Sequence, residues 1–371
     1  MSINLSRWIT NNWPVLSQIS IGSVYFPGSH DSCAYISSFD KGTSFYNSLN
    51  EPYYSLGYFP DIVNNYTLTQ NKTITEQLQI GVRVFDFRIS FYDNVYVISH
   101  TYFLISLYDA LQQINAFLTI NPNEIIIITY KNDTEHTSTI NSDGLSGFIK
   151  ECLPNLTTTL NTNNALQTLS NIFTGTFRVL LLNNSEDITD DWYNSQNIND
   201  FMNSYYNFYQ STSAPTNILN ILEAVLTPDS NSILTNIGIG IGFGIGIYIP
   251  VIIILILFYK FCKYIFYYRR ETVVIPYRDT FLQNQVPDTE LSYKIFKIFL
   301  YFIFFIGIFL AFIYTGLLIS SNIYGLYSNS QQIKGKFLNN IVNNNGKYNI
   351  FMLDFIDSDL TTAIINKNFL S

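Results

Sequence analysis

Three histidines are the residues of this chain best suited to proton transfer near neutral pH, because an unperturbed imidazole titrates close to that range. Two of them follow short apolar runs: His30 in Y-F-P-G-S-H-D-S, where Asp31 comes next, and His100 in V-Y-V-I-S-H. A neighbouring carboxylate shifts the pKa of an imidazole, so such a pair is suited to general acid–base catalysis, although it could equally form only a turn. His136 lies in the polar stretch K-N-D-T-E-H-T, which predicts an exposed loop without a catalytic role.

Other ionisable residues lie at the ends of apolar runs that have the length of buried strands. In V-R-V-F-D-F-R-I, the two-residue period of a strand places Asp86 and Arg88 on the face that begins with two valines. Lys131 ends I-I-I-I-T-Y-K, and Asp354 follows I-F-M-L. In a βα barrel the C-terminal strand ends form the mouth in which active sites lie, so we expect these groups to meet there.

The alternation of apolar runs with amphipathic stretches predicts the fold class. The strands predicted are 23–26, 82–89, 95–99, 124–131, 177–183 and 348–355, with a less regular one at 205–210. Residues 107–118 carry their apolar side chains on one helical face. We therefore predict an α/β fold, either a TIM-type (βα) barrel or an open parallel sheet, with six regular strands against the eight of a full barrel.

Two long uncharged stretches, 237–258 and 298–320, interrupt this pattern. Each is long enough to cross the bilayer core, which takes about 20 helical residues, so we predict two transmembrane helices rather than core helices. Gly238, Gly242 and Gly246 stand four residues apart and predict a face on which another helix packs, either within the chain or from a second copy. The G-I-G-I repeat could also be a compositional accident.

The connector 259–297 carries seven Lys and Arg against four Asp and Glu, a net charge of +3. The positive-inside rule places such a connector in the cytosol and the rest of the chain on the opposite face. The start, M-S-I-N-L-S-R-W, contains no apolar signal region, which argues against export of the barrel, but the prediction kept is a cytosolic connector with the barrel on the opposite face. In either case residues 1–236 and 321–371 share one side of the membrane and are expected to form one barrel domain.

Composition excludes several function classes. Only 12% of the residues are charged, about half the usual share of a soluble domain, and the net charge of −8 argues against a nucleic-acid partner. Cys33, Cys152 and Cys262 are too far apart to indicate a disulfide framework or a zinc site. Cys33 is expected to be a small packing residue beside His30.

Five segments resemble, in order, the motifs of the X domain of phosphatidylinositol-specific phospholipases C: P-G-S-H-D-S, Q-L-Q-I-G-V-R-V-F-D-F-R-I, V-Y-V-I-S-H, N-P-N-E-I-I-I-I-T-Y-K and N-I-F-M-L-D-F-I-D. The resemblance covers roughly residues 15–210 and 345–368, and it departs at Thr101, where glycine is common in the family. It implies a bacterial-type, single X domain with a TIM-type barrel. The transmembrane hairpin is then inserted before the last barrel strand.

The resemblance also implies roles for the ionisable residues. His30 is then the base that activates the inositol 2-hydroxyl, and Asp354 orients it. His100 is the acid that protonates the leaving diacylglycerol oxygen, paired with Asp31. Arg88 stands where calcium-dependent members have a carboxylate, which predicts metal-independent charge stabilisation and no cofactor, with calcium not excluded.

Lys131 and Asp86 are expected to bind the headgroup by the same resemblance, whereas Asn184 replaces a second headgroup arginine and leaves the exact lipid open. The predicted function is a membrane-anchored phosphodiesterase that cleaves phosphatidylinositol-type lipids to diacylglycerol and (cyclic) inositol phosphate. Its partners are then the lipid substrate and the bilayer. Two alternatives are an inactive tethered module that binds inositol lipids or a protein, and a metal-dependent barrel phosphodiesterase acting on glycerophosphodiesters or sphingolipids.

Overall fold

The computed structural model of the protein describes residues 3–35, 60–92, 94–100, 102–132, 142–154, 157–159, 164–183, 188–211, 219–228, 230–271, 288–341 and 348–369. The chain forms two compact units, one made of Met1–Ser232 with Tyr324–Ser371 and the other of Ile233–Ile323. Thr101, His136 and Asn184 lie outside the described residues, so what the sequence predicts for them stays a prediction.

Within the described residues, the first unit is built on one ten-stranded sheet. Its strands are β1 (Phe26–Ser29), β2 (Val84–Tyr92), β3 (Val95–His100), β4 (Tyr102–Ser106), β5 (Ile126–Asn132), β6 (Thr157–Thr159), β7 (Val179–Asn183), β8 (Ile188–Trp192), β9 (Leu219–Ala224) and β10 (Ile350–Leu353). The order β6-β7-β5-β2-β1-β10-β9-β8 is parallel throughout, and β3 and β4 extend from β2 as antiparallel strands. The predicted α/β class is confirmed. Among the described residues no pairing joins β6 to β8, so a closed barrel is not established there.

Helices connect the strands of this unit. They are Trp8–Asn11, Trp13–Leu16, Pro60–Thr67, Ile74–Gln79, Leu107–Ile120, Ser142–Cys152, Leu169–Ile172, Ile198–Ser211, Leu326–Lys336 and Ser358–Lys367. Leu107–Ile120 confirms the helix predicted at 107–118, and it begins where the Ser106 hydroxyl accepts a hydrogen bond from the Asp109 amide at 3.0 Å.

The structure corrects the predicted strands in several places. Residues 205–210 are helical, because the buried side chains Phe201, Met202 and Tyr205 recur at helical rather than strand spacing. The run at 95–99 pairs antiparallel with β2 and is not a buried parallel strand, since Val95 is 47% exposed. The sequence does not predict β4, β6, β8 or β9, and two of these, T-T-T and I-T-D-D-W, are too polar to stand out.

Alternate residues of the parallel strands fill the interior of the first unit. Those in the buried core include Phe26, Val84, Ile127, Leu180, Ile221, Ile350 and Met352. The strands approach closely at Gly28, where a Cβ would lie 2.8 Å from the Met352 sulfur. Cys33 is fully buried, as predicted for a packing residue. Because side chains alternate between faces, the next inward positions beyond this apolar layer are the ionisable residues at the strand ends.

The second unit is formed by two long helices, Ser230–Glu271 and Asp288–Tyr324, which contain both uncharged stretches. By length and composition, Asn231–Phe261 and Tyr301–Asn340 could each cross a membrane. Their apolar side chains are largely exposed, as at Phe302, where the exposed fraction is 62%.

The two long helices contact each other through glycines other than the predicted set. A Cβ on Gly240 or Gly244 would come within 2.8 Å of backbone atoms of the other helix. Gly238, Gly242 and Gly246 have nothing within 4 Å of such a Cβ. The two sets are offset by two residues, about 200° around a helix, so the four-residue spacing alone does not reveal which set faces the partner helix. Self-association through the outer set stays a prediction.

Candidate active site

The C-terminal ends of several strands bring the predicted site residues to one place. His30 and Asp31 follow β1, Asp86 and Arg88 lie on β2, His100 ends β3, Lys131 lies on β5 and Asp354 follows β10. Six of these seven side chains contact one another directly, and Lys131 joins them through Glu223. For Asp86, Arg88, Lys131 and Asp354, the structure therefore confirms that these strand-end side chains meet, as the two-residue period of the strands predicted.

His30 lies between three carboxylates. Its Nδ1 is 2.8 Å from Asp354 Oδ1, and its Nε2 is 3.3 Å from Asp31 Oδ2 and 3.7 Å from Glu223 Oε2. Burial by itself lowers the pKa of His30, but the three negative charges outweigh burial and raise the pKa to about 10. The imidazole therefore holds its proton at neutral pH in this arrangement and must lose it before acting as a base.

Asp31 joins the two histidines, since its Oδ2 is 3.3 Å from His30 Nε2 and 3.4 Å from His100 Nε2. Burial raises the pKa of Asp31, yet the charges of the histidines and Arg88 outweigh it and hold the pKa well below its usual range. The other ring nitrogen of His100, Nδ1, lies 2.8 Å from the Thr67 carbonyl oxygen. Because a carbonyl only accepts, Nδ1 donates this bond and Nε2 is the atom turned toward Asp31.

The Arg88 guanidinium is shared between carboxylates. Its Nε is 3.1 Å from Asp31 Oδ1 and 3.1 Å from Asp86 Oδ2, and its Nη2 is 3.1 Å from Asp86 Oδ2 and 3.6 Å from Glu223 Oε1. Burial lowers the pKa of Arg88, but these neighbours raise it overall, so the group stays charged. With 29% of its side chain exposed, Arg88 can meet a bound anion.

Two acidic residues that the sequence analysis does not single out complete the site. Lys131 Nζ contacts Asp190 on β8 and lies 3.0 Å from Glu223 Oε1 on β9. Burial and the nearby Glu223 raise the pKa of Asp190, against the opposing effect of Lys131. The signal for Glu223 is present in I-L-N-I-L-E-A, where it continues an inward apolar face just as Lys131 does. Finding it requires recognising β9 as a strand.

Thr69 and Gln70, between β1 and β2, donate hydrogen bonds to backbone carbonyls around the site. The Thr69 hydroxyl donates to the Asp31 carbonyl at 3.0 Å, and Gln70 Nε2 donates to the carbonyls of His30 at 2.8 Å and Leu353 at 2.9 Å. Asp31 has a φ of 39°, in the left-handed region that non-glycine residues rarely adopt. These bonds hold the ends of β1 and β10 together and stabilise that backbone conformation.

Three of the side chains could in principle ligate a metal ion. Donor atoms of His30, Asp86 and Glu223 all lie within 4.8 Å of one another. Arg88 already lies within 3.6 Å of both carboxylates, so a metal ion would compete with a fixed positive charge for the same oxygens. Independence of metal, as the sequence implies through Arg88, stays a prediction.

Residues 63–184 match the family described as phosphatidylinositol-specific phospholipase C, X domain. The chain is 31% identical over 131 residues to a PI-PLC X-box domain-containing protein of Dictyostelium discoideum, covering 34% of this chain and 16% of that protein. It is 30% identical over 129 residues to PI-PLC X domain-containing protein 2 of Homo sapiens, covering 33% of this chain and 42% of that protein. The chain thus spans less than half of the length of these relatives.

The fold is similar to that of a phosphatidylinositol-specific phospholipase C from S. aureus, with a TM-score of 0.54 over 98% of both chains at 13% sequence identity. At that identity the likeness concerns the fold alone. The family match includes Asp86, Arg88, His100 and Lys131, whereas His30, Asp31 and Asp354 lie outside it and reach the site through the fold. Over residues 63–184 the chain therefore matches the X-domain model of the phosphatidylinositol-specific phospholipase C family, the family that its motifs predicted.

Proposed function

We propose that the protein is a membrane-anchored phosphodiesterase that cleaves phosphatidylinositol-type lipids to diacylglycerol and inositol phosphate. The observation that carries the proposal is the set of contacts around Asp31, whose carboxylate lies within 3.4 Å of His30, His100 and Arg88. Two proton-transfer groups and a fixed positive charge in one buried place are the groups that phosphoryl transfer without a metal requires.

In the proposed reaction the inositol 2-hydroxyl oxygen attacks phosphorus while its proton passes to His30. The bond from phosphorus to the diacylglycerol oxygen breaks, and that oxygen takes a proton from His100. Arg88 stabilises the negative charge that develops on the phosphate oxygens. Asp354 orients the base through its 2.8 Å bond to His30 Nδ1. Water can then open the cyclic phosphate with the two histidines in exchanged roles.

The two apolar helices support the anchoring part of the proposal. An enzyme whose substrate resides in a bilayer gains from being held at that surface, because binding then requires no separate docking step. The basic connector 259–297 is proposed to face the cytosol, with the barrel on the opposite side.

The test is diacylglycerol release from phosphatidylinositol vesicles by the full chain in nanodiscs with excess chelator. We expect release to persist with chelator, to vanish in His30→Ala, and to continue in Cys152→Ser, a control on a helix that contributes nothing to the site. Release that depends on calcium would favour the metal-dependent alternative. No release from a folded sample would contradict the proposal.

A second candidate, a tethered module that binds inositol lipids without cleaving them, is favoured by the state of His30. The raised pKa of about 10 keeps this residue protonated at neutral pH, which suits anion binding better than proton abstraction. Vesicle flotation of the same sample separates the two functions, since the binding module would float with phosphatidylinositol vesicles and release no diacylglycerol.

A further inference from the structure

The segment that follows β10 carries the carboxylate that orients His30. Asp354 is its first residue, and Phe355 comes next with a φ of 47°, a left-handed conformation that large side chains rarely adopt. The Phe355 amide donates a hydrogen bond to the Thr69 carbonyl oxygen at 2.6 Å. A backbone in this conformation persists only where its surroundings hold it, so the position of Asp354 depends on what contacts this segment.

Helix Leu326–Lys336 contacts the segment at two places. The Tyr327 ring lies edge-on to the Phe355 ring, with 5.1 Å between the ring centroids and an interplanar angle of 87°. About two helical turns further on, Lys334 Nζ contacts Asp357 Oδ2. Because this spacing places both side chains on one face of the helix, the two contacts act on the segment together.

Asp357 connects Lys334 to the backbone of the segment. Its other oxygen, Oδ1, accepts hydrogen bonds at 3.1 Å from two amides in the first turn of helix Ser358–Lys367 and so caps that helix. Lys334 also lies 3.2 Å from Asp359 Oδ2. One lysine therefore holds the far end of the segment that begins at Asp354.

The helix that supplies these contacts follows the second long apolar helix directly. Only Gly325 separates Asp288–Tyr324 from Leu326–Lys336. Helix Leu326–Lys336 belongs to the first unit, with Leu326 and Ile333 buried. The chain thus passes from the predicted membrane span into the helix that contacts the Asp354 segment.

We propose that Lys334 is a positioning residue for the proposed reaction: through Asp357 it holds the segment that carries Asp354, and it thereby fixes that carboxylate against His30 Nδ1. Tyr327 acts in the same direction by packing on the residue after Asp354. This inference rests on the proposed function and adds to it a residue that acts through others rather than by contact with the substrate.

The position of Asp354 can be measured through His30. Three carboxylates face the His30 ring: Asp31 after β1, Glu223 on β9 and Asp354 after β10. Burial lowers the pKa of His30 and the three carboxylates raise it, Asp354 through both its charge and its 2.8 Å bond. If the segment is released, Asp354 contributes less and the pKa of His30 falls. A loss of stability alone would leave this pKa unchanged in the molecules that remain folded.

The test is an NMR titration of the histidines of the full chain in detergent micelles, with the His30 signal assigned by comparison with His30→Ala. We expect the proton affinity of His30 to fall about tenfold in Lys334→Met and to keep its wild-type value in Lys334→Arg, which retains the charge. Lys336→Met is the matched control, because Lys336 is an exposed lysine on the same helix. Tyr327→Ala should also lower the proton affinity of His30, and it replaces Lys334→Met if that variant does not fold.

The titration requires no turnover, so its result is independent of whether the proposed phospholipase activity exists. An unchanged His30 titration in Lys334→Met and Tyr327→Ala, or an equal shift in Lys336→Met, would overturn the inference. Where lipid is cleaved, we expect kcat on phosphatidylinositol vesicles to fall about tenfold in Lys334→Met with KM unchanged, because only the orientation of the base is altered. A change in KM without a change in kcat would contradict the positioning role.

Discussion

The segment V-R-V-F-D-F-R-I carries two arginines, and their surroundings differ in kind. Arg83 is fully buried, with its Nη2 2.7 Å from Glu124 Oε2, and it donates further bonds to the carbonyls of Leu78 at 2.9 Å and Ser6 at 2.9 Å. Arg88, at the other end, is 29% exposed. Its guanidinium lies against the carboxylates of Asp31, Asp86 and Glu223. We call the surroundings of Arg83 the floor and those of Arg88 the mouth.

This difference distinguishes charged groups that stabilise the fold from charged groups that are available to a ligand. At the floor the guanidinium and Glu124 satisfy each other, and the other Glu124 oxygen accepts from the Thr10 amide at 2.8 Å. At the mouth, carboxylates outnumber cations, and Asp86 Oδ1 has no hydrogen-bond partner within the described part of the chain. A complete charge network stabilises the fold, whereas an incomplete one is suited to a ligand that completes it.

The largest expected effect on stability is at the floor. Arg83→Met leaves the buried Glu124 carboxylate without its positively charged partner, so we expect the free energy of unfolding to fall by about 3–5 kcal/mol while kcat of the folded fraction is retained. Denaturant unfolding in detergent and vesicle assays measure the two quantities. Arg83→Met/Glu124→Leu should recover most of the stability, and a loss of kcat without loss of stability would erase the distinction between floor and mouth.

The mouth should show the reverse pattern. Arg88→Lys keeps the charge but loses the planar donors that bridge Asp31 and Asp86. We expect kcat/KM on phosphatidylinositol to fall about 100- to 1000-fold, with little change in Tm. Wild-type turnover in this variant would show that any positive charge suffices there.

The pH dependence should follow His30 at the mouth. Its pKa of about 10 lies above the ordinary 6.5, so the base form is scarce at neutral pH and increases with pH. We expect kcat/KM to rise above pH 7 and then to fall, a bell-shaped profile, because the reaction needs one proton removed from the base and one kept on the acid. Arg83→Met/Glu124→Leu should show the same rise, because floor charges do not contact His30, and a flat profile would contradict a protonated resting base.

The smallest expected effect concerns the hydrogen bonds behind the mouth. Thr69→Val removes the hydroxyl that bonds the Asp31 carbonyl, so we expect about 1 kcal/mol of lost stability and a several-fold lower kcat. Thr119→Val is the matched control, since it removes a 2.8 Å hydroxyl bond to the Asn115 carbonyl on a helix away from the site. Thermal unfolding and turnover of both variants should show a turnover defect in Thr69→Val alone.

Part of the mouth can be predicted from the sequence. The strands rich in Ile, Val and Leu alternate clearly between two faces, and this alternation places Asp86, Arg88 and Lys131 at the inward-facing strand ends. The sequence analysis misses Asp190 and Glu223 because β8 is too polar to be recognised as a strand, and because Asn220 and Glu223 interrupt the apolar run of β9. The pairing of His30 with Asp354 follows only from the family resemblance and not from the local pattern, because 324 positions separate the two residues and only the sheet brings them together. The glycines through which the long helices contact each other cannot be predicted for a different reason. The G-I-G-I repeat places glycines at four-residue spacing on two faces of the helix, and the sequence does not distinguish these faces.

The position of β10 has a consequence for synthesis. This strand pairs with β1 on one side and β9 on the other, yet 125 residues separate it from the end of β9, and both apolar helices lie in that gap. A ribosome adding about 5–20 residues per second needs roughly 6 to 25 s to cross it. Throughout that time the edges of β1 and β9 that β10 later pairs are open, and open strand edges attract other chains. Completion of the sheet therefore waits until both apolar helices have been made, and a chain released before that point has neither a closed sheet centre nor Asp354.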